Sequence, residues 1–174
     1  MDTIKNHPDD ELLASYSAAS LPLSQALCIS VHVEHCGECA EKLRRLNQVG
    51  SELMYQLKPS PPSSGLKDKL IDQLDSITED PETDRHRPDN TSVPRCLHQF
   101  IKSGYEKISW KRISPDIQSY ELCRDQNNAK VELLRIKPGG TSSTHTHMGD
   151  EYTVILEGSF SDEAVLYHKG DFLL

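Results

Sequence analysis

A chain of 174 residues, 36% hydrophobic and 26% charged, has enough material for one medium domain or two small ones. Its net charge of -8 argues against direct DNA or RNA binding, which needs clustered Lys and Arg, and suits a basic partner better. No apolar run approaches the ~18 residues that span a bilayer, the start carries no signal-peptide pattern, and five cysteines with one close CxxC pair fit a reducing cytoplasm rather than a disulfide framework.

The amino-terminal signals are helical. Pro8 followed by Asp9, Asp10 and Glu11 predicts a first turn, with proline at the start and acids at the positive end of the dipole. Leu12, Leu13 and Tyr16 form the apolar face of that helix. Residues 21–36 read as a second helix, with Pro22 tolerated in its first turn. Residues 39–57 give the clearest helix: Leu43, Leu46, Gly50, Leu53 and Leu57 step by three and four, with Val49 and Met54 beside them. That leucine stripe has two readings, packing within the helical part or contact with a partner. Residues 58–65 (KPSPPSSG) form a linker, and Leu66, Leu70, Leu74 and Ile77 mark one face of a short fourth helix.

Residues 78–94 are polar and almost free of apolar side chains, and predict a second, exposed linker. Strand signals follow. Residues 105–113 and 118–123 are mixed, and Val131 to Ile136 read as a strand buried on both faces. Pro138-Gly139-Gly140 is a turn, and residues 152–156 a further strand ended by Gly158. The expected class is α+β in two domains: a helical bundle over 1–77, a linker over 78–94, and a sandwich or barrel over 95–174. Cys28 and Trp110 read as core residues, and a disulfide between Cys96 and Cys123 is disfavoured in a reducing compartment.

Two constellations carry metal chemistry. The first is His32-x3-Cys36-x2-Cys39. Four-residue spacing at a helix end puts His32 and Cys36 on one face, and Gly37 permits the turn that brings Cys39 back. Thiolates and imidazoles suit zinc, which takes four ligands in a tetrahedron. His7, at the mouth of the first helix, is the best fourth ligand, and His35 competes, although consecutive ligands are strained. The bland alternative is a reduced CxxC beside an unrelated histidine. A thioredoxin-like site lacks its βαβ surroundings. The second constellation is His145-x-His147-x3-Glu151, opened by Gly139 and closed by Gly158. On a strand the two histidines share a face, and Glu151 can join them across a turn. Such a ligand set takes zinc, iron(II), manganese or nickel without choosing among them.

The run His7-x24-His32-x3-Cys36-x2-Cys39 resembles the zinc-binding anti-sigma domain, and the His145, His147, Glu151 spacing resembles the first cupin motif. In that order, with Gly158-Ser-Phe160-Ser-Asp162-Glu163 after them, they resemble the ChrR family of anti-sigma factors. The resemblance implies a helical bundle stapled by zinc on His7, His32, Cys36 and Cys39, and a cupin (an antiparallel β-barrel or jelly roll) with zinc or another divalent metal on His145, His147 and Glu151. It implies sequestration of an extracytoplasmic-function-type sigma factor in the cytoplasm, with release on oxidative stress, singlet oxygen above all. It implies no direct nucleic-acid contact, no membrane and no catalysis. Some relatives carry cysteine at the upstream position and release by disulfide formation; His7 does not support that switch. Cupins also place a further histidine several residues after a Gly-Asp such as Gly170-Asp171, and the chain stops at Leu174 before it, which implies either a shortened chain or a three-ligand site with a sheet edge left open. Two rival readings are a metal-dependent cupin enzyme (dioxygenase- or isomerase-like) with an accessory helical domain, and a sensor acting on some other regulator.

Overall fold

The structure, a computed structural model, describes residues 4–76, 92–141, 149–162 and 165–174. Helix α1 runs Asp10–Ser17, α2 Leu23–His35, α3 Gly37–Tyr55 and α4 Leu66–Ser76. Each of the four predicted helices is present, with shifted ends. Pro8 lies outside α1; Asp9 is the cap, and its Oδ1 accepts the Leu12 N–H at 2.7 Å. Pro22 caps α2 from just outside the first turn. Cys36 both ends α2 and caps α3, its sulfur accepting the Cys39 N–H at 3.5 Å.

After the undescribed residues 77–91 the chain does not start as an exposed linker. Val93 and Pro94, inside the predicted linker, are buried, because Val93 packs with Leu97 and Ile101 onto α2. Residues 95–97 and 105–107 are short 3-10 turns. The strand signal over 105–113 therefore resolves into a turn and the two-residue strand β1, Lys111–Arg112. The indole N–H of Trp110 donates to the Tyr105 carbonyl at 3.1 Å, and the Arg135 guanidinium stands 4.2 Å over its ring.

The described strands make three antiparallel sheets. The first, in the order β1-β2-β3, joins β1 to β2 (Ile117–Arg124) and β3 (Lys130–Ile136), with a bulge between Glu121 and Cys123. Strand β3 is buried on one face only, with Leu133 7% exposed and Leu134 51% exposed, so the expectation of two-sided burial fails. The other sheets are pairs: β4 (Thr153–Val154) with β7 (Phe172–Leu173), and β5 (Ser159–Ser161) with β6 (Leu166–His168). Closure into a barrel is not seen among the described residues.

Helix α2 is apolar on more than one side, and that decides the packing. Leu27 and Val31 join a cluster with Val93, Leu97, Ile101, Tyr105 and Leu133. Ile29 joins a second cluster with Leu13, Cys36, Cys39 and Phe172. Both clusters mix residues from the helical and the strand-rich parts. A further tie is the Ser24 hydroxyl, which donates to Asp125 Oδ2 at 2.6 Å in the β2–β3 turn.

Candidate metal centre

The turn from α2 into α3 gathers the first constellation. His32 sits on the last full turn of α2, Cys36 at the junction and Cys39 in the first turn of α3. His7 arrives from the segment before α1. One donor atom from each of His7, His32, Cys36 and Cys39 lies within 4.8 Å of the others. Three of the four residues are buried and His7 is half-buried. His7 Nδ1 stands 3.4 Å from Cys36 Sγ and 3.5 Å from Cys39 Sγ. Ligands about 2.0 and 2.3 Å from a tetrahedral zinc stand about 3.5 Å apart, so these are spacings a metal can bridge.

The surroundings fit a metal as well. His32 Nδ1 lies 2.7 Å from the Gly170 carbonyl, which fixes the proton on Nδ1 as donor. Its Nε2 is buried, with no hydrogen-bond partner, and carries the lone pair a metal takes. His7 turns its other nitrogen, Nε2, toward Glu38 Oε2 at 4.0 Å. Burial, followed by the neighbouring Cys36, pushes the Cys39 thiol up to about 12. Burial also holds His32 below the usual imidazole range, against the Gly170 hydrogen bond. Without a cation Cys39 thus favours the thiol and His32 the neutral imidazole. A divalent metal bound by these residues would supply the charge that stabilises a coordinating thiolate, helped by the N–H groups at the start of α3. The cluster could hold a metal ion, and among the described residues it is the one such group of His, Cys, Asp and Glu.

His35, the competing ligand, is not in this group: its Nε2 is buried without a partner, and its Cβ faces Gly170. In the second constellation His145 and His147 lie outside the described residues. Glu151 is exposed and lies two residues before β4. All five cysteines are free. Cys28 is half-buried, and its thiol is pushed to about 11 by burial, then by Cys96; Cys96 rises to about 11 by burial, then by Glu34. Neither is a ready thiolate.

The surface is uneven. Leu46 packs on the second cluster, but further along α3 Val49 is 59% exposed, Leu53 60% and Met54 72%. On α4, Leu70 and Leu74 are 50% and 67% exposed. Ile77, predicted on the same face, lies outside the described residues. Sequence reading missed Gly170, Asp171, Phe172 and Glu38 at the centre. In the sequence Gly170-Asp171 reads only as part of a cupin motif, and nothing there ties it to residues 5–7.

Comparison with known proteins bears on residues and fold alike. Residues 98–174 match the ChrR cupin-like domain family. The chain is 28% identical over 169 residues to the anti-sigma-E factor ChrR of Cereibacter sphaeroides, spanning 97% of this chain and 78% of that protein. Its fold matches the crystal structure of Rhodobacter sphaeroides SigE in complex with the anti-sigma ChrR, with a TM-score of 0.81 and 29% identity, over 98% of this chain and 86% of that one. No described helix is long and apolar enough to cross a membrane.

Proposed function

We propose, from the match of residues 98–174 to the ChrR cupin-like domain family, that the chain is an anti-sigma factor that sequesters an extracytoplasmic-function-type sigma factor. It is a regulator and not an enzyme, as its relatives are by name. The observation that carries the reading is the open apolar surface of α3 and α4. Monomeric proteins rarely leave so many adjacent large apolar side chains in water, and each contributes about 1.5–3 kcal/mol when fully buried. A bound sigma factor covers that surface, and the stripe on α3 is then both core at its start and interface at its end.

Zinc on His7, His32, Cys36 and Cys39 holds α1 against the α2–α3 junction, in this proposal, and so fixes the direction in which α3 projects. A metal on His145, His147 and Glu151 makes the strand-rich part the sensor, with release on oxidative stress and singlet oxygen as the proposed signal. Thiolates and imidazoles are both oxidisable, and losing a ligand loosens the metal. A route between the parts is supported by β4, which follows Glu151 and pairs with β7, which in turn leads back to His32. The proposed place of action is the cytoplasm, where free thiols stay reduced and sigma factors meet polymerase. The division into domains at 77 and 95 stays part of the proposal.

The test is co-expression with sigma factors encoded beside this chain. A soluble 1:1 complex that inhibits transcription supports the reading. Failure to bind any of them, with the chain folded and its metal present, sinks it.

A further inference from the structure

The candidate metal centre has a second ring of contacts, which comes from the opposite end of the chain. Asp171 is 1% exposed. Its Oδ1 accepts the backbone N–H of Lys5 at 2.8 Å and of Asn6 at 2.9 Å, and its Oδ2 accepts the N–H of His168 at 2.7 Å. The Phe172 N–H donates to the Asn6 carbonyl at 3.0 Å. The residue immediately before His7 is thus held at both its N–H and its carbonyl. The Gly170 carbonyl takes the proton of His32 Nδ1, and the Phe172 ring meets the His32 ring edge-on at 6.0 Å. Gly170 has φ +92, and a Cβ there would stand 2.5 Å from Ile4 Cδ1 and 3.3 Å from His35 Cβ. The left-handed backbone at this position favours glycine, and the tight fit against Ile4 and His35 adds to that.

Three consecutive residues therefore position two of the four donors, His7 through the backbone of Lys5 and Asn6 just before it and His32 through its ring. We propose that Asp171 is a positioning residue for the metal centre, and that residues 170–172 form a clasp whose seating is coupled to metal occupancy at His7, His32, Cys36 and Cys39. The coupling is reciprocal: a metal that orders His7 and His32 seats the clasp, and displacing β7 loosens the metal. The proposal rests on the reading of that cluster as a metal centre.

The experiment uses the full chain and three readouts. Zinc affinity is measured by competition with a chromogenic chelator, the ligand set by the absorption spectrum of the cobalt(II)-loaded protein, and the clasp by amide hydrogen exchange at Lys5 and Asn6 with and without zinc. Asp171→Asn is expected to lower zinc affinity 10–100-fold, the range typical for outer-shell partners, and to shift the cobalt bands as His7 leaves. Asp125→Asn, which removes the charge of a different buried carboxylate linking helix to sheet, is expected to change neither. Zinc is expected to slow exchange at Lys5 and Asn6. Wild-type affinity and spectrum in Asp171→Asn, equal losses in Asp125→Asn, or zinc-independent exchange would each overturn the clasp. If wild type takes up neither zinc nor cobalt, the metal centre itself fails and the clasp falls with it, a result distinct from the other three. Should Asp171→Asn not fold, the exchange measurement on wild type decides.

Discussion

At the scale of single residues, four side chains of two types converge from three segments because each has a local reason to be where it is. His32 and Cys36 share a face at the end of α2, Cys39 lies in the first turn of α3, and His7 is carried by a docked amino-terminal segment. Replacing Cys39 with serine should remove a stoichiometric metal and lower the unfolding temperature, read by elemental analysis and circular dichroism. Retention of full metal content would exclude Cys39 as a ligand. Asp171 makes a pH prediction. Burial alone pushes its carboxyl up, but the amides of His168, Asn6 and Lys5 together outweigh burial and hold it below the ordinary carboxylate value. Its contribution to stability is therefore full above the unfolded value near 3.8 and is lost as the pH falls through the lower folded value. Acid unfolding of wild type and Asp171→Asn should converge at the lowest pH and separate above it. Parallel curves throughout would refute the assignment.

At the scale of elements, α1 and α2 differ from α3 in how they use their apolar residues. Leu13 of α1 and Ile29 of α2 are fully buried, whereas the far half of α3 stands in water. Leu13→Ala should cost about 2–5 kcal/mol of stability, as for other fully buried leucines. Leu53→Asp should change the stability of the free chain by no more than about 0.5 kcal/mol, since the side chain is 60% exposed. The same change should weaken the sigma complex by at least about tenfold, because a charge then enters an apolar interface. Denaturant melts and a titration against the sigma factor separate the two effects. A stability loss at Leu53 equal to that at Leu13 would place the stripe inside the free protein instead.

At the scale of the whole molecule, the helical and strand-rich parts share their interior. Leu27 and Val31 pack against Leu97 and Leu133, and Phe172 packs beside Cys36 and Cys39. Glu34 adds both carboxylate oxygens, each 2.9 Å from the Arg95 N–H. Heat should therefore unfold the metal-loaded protein in one calorimetric transition with equal calorimetric and van't Hoff enthalpies. Two resolved transitions would show that these contacts do not couple the parts.

Much of this was legible in the sequence because it is written in short-range patterns. The helices announce themselves by three-and-four periodicity and by caps within a few residues, and the His-x3-Cys-x2-Cys run is local to one helix junction. His7 could be nominated because it stands at a helix mouth and has donor chemistry. Long-range matters were decided by tertiary structure alone. Residues 105–113 carry strand-forming side chains, but packing of Tyr105 and Trp110 turned most of them into a 3-10 turn and a short edge. Val131 to Ile136 alternate apolar residues on both faces, yet only Leu133 found a buried place. Val93 lies in a polar stretch and was drawn into the core by α2. Asp171 reads only as part of a cupin-like Gly-Asp pair until the fold brings the amides of Lys5 and Asn6 to it, because a hydrogen bond across the length of the chain leaves no trace in local spacing.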